Sequence, residues 1–298
     1  MYHKPVLLNK SIEGLNINPD GIYFDVTFGG GGHSKEILKN LSNKGHLYAI
    51  DRDPDAHKNT IDDKRFTLIY GNFRYIKNYI EFYKLDGIDG ILADFGVSSH
   101  QFDISDRGFS FRLGGNLDMR MNPEQTTKAS DILNQYSDED LYRIFKTYCD
   151  IHNPGKLVKS IVEYRQQNTF EDIEGFIELL RPIMPYNREI KYKAQIFQAL
   201  RIEVNDEINS LNEFLDTISA VLHKGGRFSA ISYHSLEDRP VKNLIKTGNT
   251  KGNLEKDIFG QTDLPFKAIN RKIIIPNEQE INENPRAKSA KLRIAEKI

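Results

Sequence analysis

The ten residues Asp25-Val-Thr-Phe-Gly29-Gly30-Gly31-Gly32-His33-Ser34 set four consecutive glycines between a β-rich run and a helical one. Backbone without Cβ atoms lets a ligand come close, and the start of the following helix offers its N–H groups at the same place. In nucleotide-binding α/β folds, an acid about twenty positions after such a loop binds the ribose hydroxyls. Asp51 follows Gly29 by 22 positions. Two nucleotide classes meet that description. A nicotinamide dinucleotide lays its pyrophosphate on the helix N-terminus, whereas S-adenosylmethionine has no phosphate and presents a sulfonium and an amino-acid group. Asp25, four residues before Gly29, and Asp94, at the end of a later β-rich run, put negative charge where a pyrophosphate would lie, which favours the second class. A purely structural use of Asp25, bonding the loop's own amides, is open as well, because buried charges are paired.

Those residues need a frame. Residues 22–28, 46–51, 66–70 and 88–95 read as short strands, separated by helical stretches at 34–41 and 73–83, the pattern of parallel βαβ units. On the second helix, Tyr75, Ile76, Tyr79, Ile80 and Tyr83 are expected to share one face. Ligands of an open parallel sheet sit at the carboxyl ends of its strands, which places Asp51, Asp94 and the glycines along one rim. The next well-marked strand is 227–233, so about 130 positions separate it from residue 95. A parallel crossover needs only a dozen or more, and an insertion is therefore expected. Residues 130–223 are helical in period, and Phe197, Leu200, Val204, Ile208, Leu211, Leu215, Ile218 and Leu222 predict one long helix, with no Gly or Pro until Gly225. Residues 101–123, rich in Gly, Asp, Asn and Arg, read as a functional loop. Residues 247–265 read as a polar loop, and 269–275 and 289–295 as last strands forming an antiparallel edge.

Composition narrows the function classes. The chain has 298 residues, 41 Lys plus Arg against 42 Asp plus Glu, 39% hydrophobic and 28% charged residues, so any nucleic-acid surface must be local rather than global. No apolar run approaches the length of a membrane span. The opening run Pro5-Val-Leu-Leu8 is too short for the core of a secretory signal, and the single Cys149 excludes an intramolecular disulfide framework or a multi-cysteine zinc site. Cytoplasm is the expected address. His100, Asp103 and Asp106 match no zinc spacing, and no metal is expected.

Several ordered blocks resemble the MraW/RsmH methyltransferase family, from near His3 to the C-terminus. They are the glycine loop, Ala49-Ile-Asp-Arg-Asp-Pro54, Asp94-Phe-Gly-Val-Ser-Ser-His-Gln101, Arg107-Gly-Phe-Ser-Phe111, Leu117-Asp-Met-Arg-Met121, His234-Ser-Leu-Glu-Asp-Arg239 and Asn284-Pro-Arg-Ala-Lys-Ser-Ala-Lys-Leu-Arg293. The resemblance implies an α/β, class I (Rossmann-like) methyltransferase sheet over 1–104 and 207–298, with a mostly helical substrate-recognition domain inserted at 105–206. It also implies S-adenosyl-L-methionine as cofactor, contacted by Gly31, Gly32, His33, Asp51, Phe73, Asp94 and Gln101, and the N4 amine of a cytosine in 16S ribosomal RNA near the decoding site as substrate. Gly30, where the family commonly has a basic or polar residue, and Phe95, where it often has Leu, depart from the pattern. An Asp/Asn-Pro-Pro-aromatic block, carried by many amino-group methyltransferases, is replaced by Asp94-Phe-Gly-Val.

Such a reaction asks for in-line positioning and an acceptor for the amine proton. Asp94 fits as acceptor and equally as cofactor holder. His33 can orient the donor, and His234 can contact the base or close its own loop on Glu237 or Asp238. The target base must be unpaired or flipped out. Arg107, Phe109, Arg112 and Arg120, with Phe102 and Phe111, interleave cations and aromatics as a strand-gripping loop would, although core packing accounts for the phenylalanines equally well. Arg181, Arg188, Lys191 and Lys193, and a basic tail at Arg286, Lys288, Lys291, Arg293 and Lys297, are further candidate phosphate contacts. The expected partner is 16S ribosomal RNA or the small ribosomal subunit. The helical insertion could clamp substrate or form a homodimer face. The rivals are a nicotinamide-dependent oxidoreductase and a non-catalytic RNA-binding factor.

Overall fold

The computed structural model describes residues 5–254, 260, 262 and 264–298. His3 and residues 255–259, 261 and 263 of the expected polar loop lie outside the described residues. Contacts divide the chain into two compact units, one made of everything up to Gly96 together with Ile208 onward, the other of Val97–Glu207.

The first unit holds a seven-stranded sheet. Its strands are β1 (Ile22–Asp25), β2 (His46–Asp51), β3 (Phe66–Tyr70), β4 (Ile88–Asp94), β5 (Leu222–Ser232), β6 (Phe266–Ala268) and β7 (Lys291–Lys297), in the order β3-β2-β1-β4-β5-β7-β6. β1 to β5 run parallel, and β7 lies antiparallel between β5 and β6. Alternation along the parallel strands builds two cores. Phe24, Tyr48, Ile50, Ile91 and Phe228 face one way, against Ile76, Ile80, Phe214, Ile218 and Leu244 of three helices. Tyr23, Leu47 and Leu92 face the other way, against Leu15, Ile37 and Leu38. A sheet covered on both faces needs strands apolar on both sides, which is why these runs are nearly continuous in hydrophobic residues.

Several expectations change. The first strand ends at Asp25, and the helix after the loop begins at Gly32. Residues 73–83 start as a 3-10 turn, Phe73–Tyr75, capped by Asn72, before the Ile76–Phe82 helix, so Tyr75 swings off the expected face and is exposed. The expected strand at 269–275 is reduced to a single bridge between Ile274 and Leu292. There the Asn270 side chain donates to the Lys272 and Leu292 carbonyls and accepts from the Ile294 amide, taking over bonds that a strand would have made with its backbone.

The long helix is two, Glu189–Val204 and Glu207–Val221. Asn205 closes the first, and Asp206 takes a left-handed φ of 49° that no continuing helix allows. The buried Asn205 amide donates to Met119 O and accepts from Met121 N, both at 2.7 Å, and Arg201 pairs with Glu207 through two hydrogen bonds across the break. A hydrophobic period cannot register such a break, because the apolar positions stay in phase through it.

The second unit is helical around Leu133, Leu141, Phe145, Ile161, Phe176 and Leu200. Val97 and Phe102 pack on this core, so the division falls after Gly96 rather than after residue 104. The segment 101–123 is no open loop. Phe109, Leu117, Met119 and Met121 are buried in the same core.

Candidate functional site

The rim formed by the ends of β1, β2, β4 and β5 gathers acids. Asp25, fully buried, accepts from Ser34 Oγ at 2.6 Å and from the Thr27 amide at 3.2 Å. Burial pushes its carboxyl up to about 6, against the restraint of those two bonds. Thr27 in turn accepts the Asp94 amide through its Oγ1 at 2.6 Å, which ties the β1 and β4 ends together. Asp51, at the end of β2, accepts from the Gly29 amide at 2.8 Å and from the Asp53 amide at 2.8 Å. Its carboxyl is nevertheless raised, chiefly by burial.

Asp94 ends β4 on the same rim. Its Oδ1 accepts from the Tyr233 hydroxyl at 2.8 Å. Desolvation raises its titration to about 7, opposed by the Tyr233 bond and reinforced by the charges of Asp25 and Glu237. Glu237, 3% exposed, accepts from the Tyr233 amide at 2.8 Å and lies 2.9 Å from His234 Nε2. His234 therefore adopts the loop-closing contact to Glu237. The Tyr233 phenol is held protonated by burial and by the neighbouring acids. Tyr233 and Glu237 carry no function in the sequence reading, although both lie within or beside the block that follows β5. Only the pairing of β4 with β5 brings them to Asp94.

The glycine loop is built for close approach at one position. Gly29, at φ 51°, has nothing within 4 Å of where a Cβ would stand, while a Cβ on Gly31 would meet the Phe28 ring and one on Gly32 would meet Pro5. Gly31 and Gly32 thus shape the turn, and Gly29 borders open space. His33 is buried, with Nε2 3.1 Å from the Val6 carbonyl, and burial lowers its titration to about 4, so it is neutral at physiological pH. Phe73 packs edge-on against Phe95 and Phe214. Asp51 and Asp94, the partly exposed acids of this rim, together with the buried Asp25 and Glu237, favour a cationic cofactor such as S-adenosylmethionine over a pyrophosphate. Among the described residues, no group of three His, Cys, Asp or Glu side chains is placed to hold a metal ion.

Gln101, Arg107, Phe109, Arg112 and Arg120 lie in the helical unit. Gln101 is buried within a capping box, its side chain accepting from the Ser98 amide and its own amide donating to Ser98 Oγ. Phe109, 4% exposed, is core rather than a stacking platform. Arg107 donates to the Arg120 and Met121 carbonyls, and Arg120 is held by Asp118 through two bonds and by the Pro123 and Gln125 carbonyls. Both arginines clasp their own segment. Arg112 stays exposed. Its guanidinium and the Lys193 ammonium lie 6.0 and 5.4 Å from the centre of the Phe111 ring. In the first unit, Arg286 is exposed on a 3-10 turn, whereas Arg293 of the basic tail is paired with Asp238.

The model of the MraW methylase family matches residues 1–298. A protein of Phocaeicola vulgatus named ribosomal RNA small subunit methyltransferase H is 52% identical over 297 residues, covering 100% of this chain and 98% of its own. Proteins of the same name from Parabacteroides distasonis and Christiangramia forsetii are also 52% identical, each with 100% of this chain and 98% of their own covered.

Proposed function

The chain belongs to the MraW methylase family and is an S-adenosylmethionine-dependent methyltransferase, and from that premise we propose that it methylates the exocyclic N4 amine of a cytosine in 16S ribosomal RNA near the decoding site. The relatives' shared name, ribosomal RNA small subunit methyltransferase H, supports the RNA and the subunit. A substrate of that kind puts the enzyme in the cytoplasm. The observation that carries the chemistry is Asp94, a carboxyl at the end of β4 with one oxygen held by the Tyr233 hydroxyl at 2.8 Å.

The cytosine amine is conjugated with its ring, so its lone pair is a weak nucleophile until the amine turns out of plane and its proton has somewhere to go. When bound, S-adenosylmethionine supplies a methyl group already activated on a sulfonium. What remains for the protein is placement and proton transfer. Asp94 accepts the N4 proton, with Tyr233 holding one of its oxygens. Asp51 and the amide-bearing glycine loop hold the cofactor's ribose end, and the rim's negative charge favours its cation. Arg112 and Arg286 meet phosphate; both are exposed, as are Arg181, Arg188, Lys191 and Lys288 of the further basic clusters. Activity then rises as pH passes through about 7 and Asp94 ionises.

The test is methyl transfer from isotopically labelled S-adenosylmethionine to small subunits prepared without their native base methylation, followed by nucleoside mass spectrometry. Recovery of N4-methylcytidine is expected, and label on another nucleoside rejects the base assignment. Asp94→Asn is expected to lower kcat by about 100-fold or more, the scale of a lost general base, and full turnover in that variant removes Asp94 from proton transfer.

A further inference from the structure

We propose that Tyr233 is a positioning residue for Asp94, braced from behind by Glu237, so that two residues that need not touch substrate set the orientation and basicity of the proton acceptor. The inference rests on the reading of Asp94 as that acceptor. Tyr233 is the last residue before the Ser235–Thr247 helix and its His234 cap, immediately beyond β5. Its hydroxyl reaches across to Asp94 Oδ1 at 2.8 Å, and its own amide is fixed by Glu237 Oε2 at 2.8 Å. Glu237 is buried and also engages His234 at 2.9 Å. The phenol is thus anchored at its backbone and aimed at one carboxylate oxygen. Gly96, at φ 98°, brings the chain after β4 past this pair, with Glu237 Oε1 and the Tyr233 ring 3.6 and 3.7 Å from where its Cβ would stand.

The charged and titratable groups facing this pair come from four elements: Asp25 from β1, Asp94 from β4, Glu237 with His234 at the Ser235–Thr247 helix, and Glu280 from the Glu278–Glu283 helix, which acts on Tyr233. Every one of them except His234 is an acid or a phenol. In that company the Tyr233 hydroxyl is the donor that stabilises Asp94 as an anion, while the Glu237 carboxylate opposes that anion. The two residues therefore act on Asp94 with opposite signs, and a merely structural role for either would not.

The experiment titrates the full-length, cofactor-free enzyme carrying 13C-carboxyl aspartate, with Asp94→Asn assigning the resonance, and compares wild type, Tyr233→Phe and Glu237→Gln. Tyr233→Phe is expected to move the Asp94 midpoint up by about one pH unit, the scale of a lost hydrogen bond to a charged group, and Glu237→Gln to move it down. The acid limb of kcat is expected to follow in the same directions, with KM for S-adenosylmethionine within about twofold. An unmoved midpoint in both variants, shifts of the same sign, or an even fall of kcat at every pH overturns the proposal. If Asp94→Asn retains full turnover, the acceptor reading falls on its own, and the carboxyl titration still decides whether Tyr233 and Glu237 govern Asp94.

Discussion

Asp25 and Asp94 stand at the ends of adjacent parallel strands, and the fold tolerates both carboxyls by delaying their ionisation. For Asp25 the native state keeps its proton up to about 6, whereas the unfolded chain releases it near 3.8. Between those values the unfolded state binds fewer protons, so this residue makes stability fall as pH rises, and the loss persists above the window. A shift of that size corresponds to at most about 3 kcal/mol. Asp25→Asn cannot ionise, and it changes the bonds from Ser34 and Thr27 by a nearly pH-independent amount. Urea denaturation from pH 4 to pH 7 should therefore show the variant gaining on wild type by about 2 kcal/mol or more. Parallel stability curves for the two proteins would mean that Asp25 ionises normally in the fold.

At the scale of elements, two turns carry consequences. Gly29 and Gly225 both have positive φ, 51° and 83°, and neither has an atom within 4 Å of a built Cβ. Alanine at either position should cost about 1 kcal/mol through backbone strain alone. Gly29 borders open space and donates its amide to Asp51, whereas Gly225 lies near the amino end of β5. Calorimetric titration with S-adenosylmethionine should find weaker binding for Gly29→Ala and wild-type affinity for Gly225→Ala, and equal affinities would place the cofactor away from Gly29. The second turn is the helix break. Asn205→Ala strips partners from the Met121 amide and the Met119 carbonyl in a buried position. A loss of about 2–4 kcal/mol in chemical denaturation is expected from unpaired buried groups. A loss below about 0.5 kcal/mol would show that solvent replaces the amide.

At the scale of the whole molecule, a formal net charge of -1 leaves RNA recognition to local patches. Four of the expected basic contacts bond within the protein: Arg107 and Arg120 to carbonyls and Asp118, Arg293 to Asp238, and Lys297 to the Ser219 carbonyl. Arg112 and Lys193 are different, since both converge on Phe111 and neither forms an ion pair among the described residues. Like charges held together without a counterion favour an incoming phosphate. The affinity of the enzyme for a 16S ribosomal RNA fragment should fall steeply with salt, and Arg112→Ala and Lys193→Ala should each reduce the slope of log K against log salt by about one. Unchanged slopes would assign both cations to packing on Phe111.

Local pattern was enough for the parts that local chemistry dictates. β2 and β3 end where alternation and turn residues end them, the glycines demand a strand-to-helix turn, and Asp51 and Asp94 fall on a rim because a parallel sheet carries ligands at its strand ends. The sequence by itself also carried the family, through blocks spread over its whole length. It could not separate buried from exposed members of one motif: the helical core holds the Phe109 ring, while Arg112 stays exposed. Nor could an in-phase apolar period reveal the break at Asp206. Only the tertiary structure decided what surrounds Asp94. Tyr233 is 139 positions away from it, and their contact exists because β5 lies beside β4 and brings the two half-buried side chains together next to the buried Glu237. Strand order, burial and the field of distant charges are properties of the assembled sheet, and no window of neighbouring residues contains them.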